Sequence, residues 1–226
     1  MKILVLIPYK PDHGRRDFLW KNVKRRYQRL FPELDICIGR DDGKLFNRSK
    51  AVNRAAKKAK GDIFIITDAD VVFNKDLIKE IGANIHKHPW IIPFKNGYRL
   101  TKKATDKLIE NGLKGKIQID RGDIERIEGG LGALMNVVTR SCFKKVRGFD
   151  ERFKGWGPED KAFFESLETI CGHHFRMDQD IYHLWHPQAE IVQRELPKQQ
   201  ALYEKYLNAT NNVKAMKKLI KERGKG

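Results

Sequence analysis

Asp68-Ala69-Asp70 follows an apolar stretch at residues 62–67 (DIFIIT) and precedes Val71-Val72-Phe73. Two carboxylates one residue apart at a strand end can hold a hard divalent cation, Mg²⁺ or Mn²⁺, against a diphosphate, because such ions take oxygen ligands and keep positions open for phosphate and water. The same pair could instead cap the next turn, so the reading depends on what accompanies it. Gly155-Trp156-Gly157-Pro158-Glu159-Asp160 places an aromatic residue, turn formers and two carboxylates at a helix start. A carboxylate there can take the proton from an incoming hydroxyl. Its alternative role is to stabilise the helix N-terminus. Tyr182-His183-Leu184-Trp185-His186-Pro187 carries two histidines three residues apart, either of which can add an imidazole to a cation held by the acidic triplet. His173-His174 and the pair His86 and His88 lack such company and read as ordinary surface or core residues.

The elements that must position these groups follow from periodicity. Residues 3–7 form a continuous apolar run, as a buried parallel strand requires. Residues 17–31 predict a helix with Phe18, Leu19, Val23, Tyr27 and Leu30 on one face, stopped by Pro32. A second strand at 34–38, a second helix at 49–59 and a third strand at 62–67 complete a β-α-β-α-β order, which implies right-handed crossovers and a parallel, doubly wound sheet. Ligands bind beyond the carboxyl ends of such strands, where Pro8-Tyr9-Lys10 and the acidic triplet lie. Further on, 90–94 reads as a strand, 102–113 as a helix, 117–126 as a mobile loop, 129–138 as a strand after a glycine turn, and 160–169 as a helix. The division is residues 1–196 as one domain and 197–226 as a basic helix or tail.

The bulk numbers narrow the partners rather than the reaction. With 226 residues the chain can bury a core without disulfides or structural metals. Cys37, Cys142 and Cys171 are odd in number and far apart, which argues against a disulfide framework and for a reducing compartment. The opening apolar run is too brief for a signal peptide and is broken by Pro8, and no stretch approaches the ~20 apolar residues of a membrane span. A cytoplasmic location follows as the expectation. Against 29 acidic residues stand 46 Lys or Arg, a net charge of +17, and a field of that sign attracts nucleic acid, an acidic polysaccharide or an anionic membrane surface, unless it only solubilises the protein.

Phe46-Asn47-Arg48-Ser49-Lys50, Asp68-Ala69-Asp70, Gly129-Gly130, Gly148-Phe149-Asp150 and Trp156-Gly157-Pro158-Glu159-Asp160 occur in an order and spacing that resembles the GT-A glycosyltransferases. The nearest likeness is to the β-1,4-galactosyltransferase and chondroitin-polymerase-like group, families 2, 7 and 27, over roughly the first 190 residues. The resemblance implies a Rossmann-like α/β domain with a mostly parallel central sheet flanked by helices. It further implies a hexosyltransferase with Mn²⁺ or Mg²⁺ as cofactor and a UDP-sugar as donor. By the same resemblance Pro8, Tyr9 and Lys10 line the nucleotide, and Phe46 and Arg48 contact base and diphosphate. Asp70 is the direct metal ligand, with Asp68 nearer the ribose or a metal-bound water. His183, with His186 as rival, supplies the metal-binding imidazole. Glu159 and Asp160 meet the acceptor, the second as general base, and Gly129, Gly130 and Trp156 wall the place where donor sugar and acceptor meet. Pro158 departs from the second glycine of the galactosyltransferases and stiffens the loop. Asp160, where the retaining GalNAc-transferases carry Asn, favours direct displacement with inversion.

The acceptor is open in these motifs. The positive charge suits a polyanionic acceptor such as a hydroxymethylated base in DNA, reached by base extrusion and with steep salt dependence through contacts in 102–116 and 214–225. The competing reading has the lysines hold the enzyme on an anionic membrane, where it builds a cell-surface or capsule glycan. A non-catalytic nucleic-acid-binding protein on an α/β scaffold is the alternative of another class. It leaves the acidic triplet, Glu159-Asp160 and the histidine pair without a purpose, and no RNA-binding aromatic signature accompanies it.

Overall fold

A computed structural model of the chain describes residues 1–155, 157–188 and 192–223. The elements are β1 (Ile3–Tyr9), α1 (Arg15–Leu30), β2 (Asp35–Arg40), α2 (Arg48–Lys58), β3 (Ile63–Thr67), β4 (Val71–Phe73), α3 (Asp76–Asn84), β5 (Trp90–Ile92), β6 (Asn96–Leu100), α4 (Lys102–Glu110), β7 (Ile124–Glu128), β8 (Met135–Thr139), α5 (Arg140–Lys145), α6 (Glu159–Cys171), β9 (Phe175–Arg176), β10 (Asp180–His183), α7 (Leu196–Ala209) and α8 (Val213–Lys221).

The apolar runs become the centre of a six-stranded sheet in the order β2-β1-β3-β8-β5-β9. Strand β1 is parallel to β2 and β3, β8 runs against β3 and β5, and β5 is parallel to β9, so β8 alone in this sheet opposes the common direction. All of β3 is buried, as a strand covered on both faces must be. Helix α1 turns Leu19, Trp20, Val23 and Tyr27 inward, while Phe18, expected on that stripe, is exposed. Asn47 caps α2 by accepting from the Lys50 amide at 2.8 Å, which fixes where Arg48 enters the first turn.

A second, four-stranded sheet, β4-β10-β6-β7, was not legible beforehand. It corrects the reading of 117–126 as a mobile loop: Arg121–Asp123 is a 3-10 turn, and β7 pairs antiparallel with β6. Its heavy charge is that of an edge strand, with Ile127 65% exposed. The strand expected over 129–138 is confined to β8, because Gly129 and Gly132 take φ of +96° and +72° and turn the chain.

Cys142 on α5 and Cys171 at the end of α6 form a disulfide, their Cα atoms 6.1 Å apart. This overturns the expectation of unpaired cysteines and removes the redox argument for the cytoplasm. The two residues are 29 apart in sequence and meet only because α5 and α6 pack together. Helices α7 and α8 pack on α6 and place Tyr203, Tyr206, Met216, Leu219 and Ile220 in the common core. Asp150 joins them to it, accepting from the Tyr206 hydroxyl at 2.7 Å and from Arg152 Nη2 at 2.7 Å. Gly148, two residues earlier, has φ of +66°, and a side chain there would run into Asn53. Among the described residues, no helix is long and apolar enough to cross a membrane.

Candidate active site and metal centre

Strand β3 ends at Thr67, and the chain turns through Asp68-Ala69-Asp70 into β4. Strand β10 pairs antiparallel with β4, His183 opposite Val71, and the Leu184 amide donates to the Asp70 carbonyl at 2.9 Å. That pairing carries His183 to Asp70, and the following turn brings His186 to the same point. His183 Nε2 lies 3.5 Å from Asp70 Oδ1, and His186 Nε2 lies 3.4 Å from Asp70 Oδ2. The ligand atoms of the three residues all fall within 4.8 Å of one another, and all three residues are buried.

The orientation of the two rings suits a cation site. His186 Nδ1 is 2.6 Å from the Pro187 carbonyl, which can only accept, so the proton sits on Nδ1. His183 Nδ1 is 2.6 Å from Glu128 Oε2, and an ionised carboxylate imposes the same choice. Both rings then turn Nε2 toward each other across 3.1 Å, beside the Asp70 carboxylate. An imidazole anchored through Nδ1–H with Nε2 turned inward is the usual orientation of a metal-binding histidine, so these three residues could hold a metal ion. Burial pushes the Asp70 carboxyl up, but His183, Arg16 and His186 outweigh it and hold the group below its ordinary range. Burial takes the His186 imidazole down, Asp70 only partly offsetting it. Glu128, raised by burial, is brought down to about 2 by its hydrogen bond and charge interaction with His183 and by Arg126. Arg99 braces the centre from β6, donating to the His186 carbonyl at 2.7 Å with a guanidinium that is 7% exposed.

Beside the triad, Arg48 bridges two further carboxylates. Its Nε donates to Asp68 Oδ1 at 2.9 Å and its Nη1 to Asp160 Oδ1 at 2.5 Å. Asp68 thus lies outside the triad that it was expected to share with Asp70. Glu159 and Asp160 occupy the first turn of α6. Burial lifts both carboxyls. The neighbouring charge of Asp160 lifts Glu159 further, while Arg48 restrains Asp160 more directly through its hydrogen bond. Of the pair, Glu159 has the more strongly raised carboxyl, and its Oε2 has no hydrogen-bond partner among the described residues.

The remaining expected residues make contacts of their own. Pro8 and Tyr9 are buried at the end of β1, and the Tyr9 hydroxyl donates to Asp17. Lys10 Nζ donates to the carbonyls of Gly43 at 2.7 Å and Lys44 at 3.1 Å. The carbonyl of Phe46 accepts from the Gly155 amide at 2.9 Å, joining the α2 entrance to the loop before α6. Trp156 lies outside the described residues. Gly157 could carry no side chain, because Gln199 of α7 occupies the space. Gly130 accepts from Arg176 Nη2 at 3.2 Å.

Sequence reasoning missed Glu128, Arg99 and Arg16. Glu128 had one signal, an acidic residue directly before Gly129-Gly130, but its partner is 55 residues away.

Residues 120–189 match the domain described as the N-terminal domain of galactosyltransferase, and residues 12–93 match glycosyl transferase family 2. β-1,4-Galactosyltransferase 4 of Cricetulus griseus is 28% identical over 164 residues, 70% of this chain and 40% of the relative. The chain carries the GT-A fold and is homologous to the β-1,4-galactosyltransferases. It spans 40% of the length of the curated relatives it matches. Drosophila β-1,4-galactosyltransferase 7, solved with manganese, UDP-Gal and xylobiose, superposes with a TM-score of 0.51 at 17% identity, covering 86% of this chain and 79% of that one. Staphylococcus aureus TarS with UDP-GlcNAc gives 0.60 at 13% identity, covering 99% and 71%. At those identities the solved structures speak for the fold.

Proposed function

We propose that this chain is a metal-dependent, inverting glycosyltransferase that moves a sugar from a UDP-sugar to a hydroxyl acceptor. The observation that carries this reading is the convergence of Asp70, His183 and His186 beside a pair of carboxylates, Asp68 and Asp160, gathered by Arg48. Relatives solved with manganese and UDP-sugars support the donor class. Two imidazoles in the donor set favour Mn²⁺ over Mg²⁺, which prefers oxygen.

Asp70, His183 and His186 would hold the ion, which neutralises charge on the departing diphosphate. Asp160, lifted toward neutral pH by burial, is poised to take the acceptor's proton as its oxygen attacks the anomeric carbon. Glu159, its carboxyl raised by burial and its Oε2 without a hydrogen-bond partner among the described residues, would orient the acceptor by hydrogen bonding. Arg48 is free to serve the diphosphate once the acceptor competes for Asp160. Attack from the Asp160 side displaces the diphosphate from the opposite face and inverts the anomeric centre.

The comparisons favour a sugar acceptor, since the Drosophila enzyme was solved with xylobiose, and none supports a modified DNA base. The excess positive charge has a defined outlet: Lys214, Lys217, Lys218 and Lys221 of α8 are exposed, its apolar face being turned into the core. Arg223, just past α8, donates to the carbonyls of Val146 and Gly148, tying the end of that helix to the segment that carries the exposed Lys144, Lys145 and Arg147. This face supports peripheral attachment to an anionic membrane as the setting for glycan synthesis.

The deciding experiment follows UDP release from a panel of UDP-sugars with Mn²⁺, with and without EDTA, against simple sugar acceptors and hydroxymethylated DNA. EDTA-sensitive release stimulated by a sugar is the expected outcome, and Asp160→Asn should abolish it while leaving donor binding nearly intact. Absence of release with every donor would remove the catalytic reading, and near-normal transfer by Asp160→Asn would remove the base assignment.

A further inference from the structure

Arg16, in the first turn of α1, leans on the metal centre from outside the ligand set. Its Nε is 3.7 Å from Asp70 Oδ2, and its Nη2 is 3.5 Å from His186 Nε2. The Nε is buried and makes no hydrogen bond among the described residues. The guanidinium is therefore held at ion-pair range over two of the three converging donor atoms, without the short bonds that would lock it there.

The two other arginines of the site differ. Arg48 is held by carboxylates at 2.9 and 2.5 Å, and Arg99 by a carbonyl at 2.7 Å. Both have side chains no more than 11% exposed, whereas Arg16 is 40% exposed and has room to swing. A positive charge at this place compensates the Asp70 carboxylate. A divalent ion entering the triad would meet that charge at close quarters and in a poorly screened setting.

We infer that Arg16 is the resident counter-cation of the metal centre: it opposes binding of the metal alone and turns to the donor diphosphate when metal and donor arrive together. Metal and diphosphate then bind cooperatively, with Arg16 carrying the coupling, because the charge displaced by one ligand is taken up by the other. This rests on the reading of Asp70, His183 and His186 as a metal centre. The coupling belongs to Arg16 in this chain, and its test does not depend on turnover.

Mn²⁺ affinity is measured calorimetrically on the full chain, with and without UDP, for the unaltered protein, Arg16→Gln and Arg16→Lys. Arg16→Gln should bind Mn²⁺ alone about tenfold more tightly and lose most of the enhancement that UDP confers on the unaltered protein. Arg16→Lys keeps the charge and should keep the weaker affinity for Mn²⁺ alone. Because UDP binds Mn²⁺ in solution equally in every arm, the comparison between proteins isolates the side chain. If Arg16→Gln melts normally yet binds Mn²⁺ no more tightly, or keeps the full UDP enhancement, the inference is wrong while the metal centre stands. If the unaltered protein binds no Mn²⁺ in either condition, the metal centre and the inference fall together.

Discussion

Arg48 Nη1 donates to Asp160 Oδ1 at 2.5 Å, tying the first turn of α2 to the first turn of α6 across 112 residues of chain. The same guanidinium holds Asp68, so one side chain sets the charge around both the proposed base and the acidic turn.

Removing that guanidinium should move the pH profile in a definite direction. Burial raises the Asp160 carboxyl and Arg48 restrains it. A base acts deprotonated, so activity is present above its folded value and lost as pH falls through it. Arg48→Gln should shift the acid limb of kcat/KM upward by about 1 pH unit or more, with weaker donor binding. An unmoved limb in the variant would separate Arg48 from the base.

Glu128 should tune the metal centre through His183. Glu128→Ala is expected to weaken Mn²⁺ affinity by about 10- to 100-fold, and Glu128→Gln by less, since the amide oxygen still accepts from Nδ1. Calorimetry reads the affinity and a thermal melt reads the fold. A lowered melting temperature with normal Mn²⁺ affinity would reduce Glu128 to a partner in strand pairing.

Asp150 should govern acid stability. Burial raises its carboxyl, but Arg152, Tyr206 and Arg223 overcome this and hold it below its ordinary value. Its contribution is therefore fully present above the ordinary carboxylate range and is lost as pH falls through the depressed folded value. Asp150→Ala should cost about 3 kcal/mol at neutral pH, by leaving Tyr206 and Arg223 without their carboxylate, and should flatten the acid limb of urea stability curves. Equal acid sensitivity in both proteins would place that limb elsewhere.

The Cys142–Cys171 link should matter to stability and not to the site. Cys171→Ser should lose roughly 3.6 kcal/mol, the scale for closing a loop of this length, while Mn²⁺ affinity is unchanged. Mass spectrometry of the unreduced protein should show two fewer hydrogens than after reduction. Finding three free thiols in the unreduced protein would contradict the pairing.

What could be read from the chain was local. Continuous apolar runs at β1 and β3 and the 3.6-residue stripe of α1 report their own burial, because each element's periodicity must match the face it covers. The acidic triplet, the α6 entrance and the two histidines were legible for a like reason: each lies at an element's end, where its type and near neighbours suggest its chemistry. Tertiary structure alone decided which of them meet. Pairing of β10 with β4 brings both histidines to Asp70, and Arg48 instead draws Asp68 toward Asp160. Glu128 reaches His183 only because β7 forms the edge of a second sheet, and Arg16 reaches His186 across 170 residues. Cys142 and Cys171 meet by the same kind of closure. Such contacts depend on how elements pack at long sequence separation, a free-energy choice among whole arrangements that no local pattern of residues encodes.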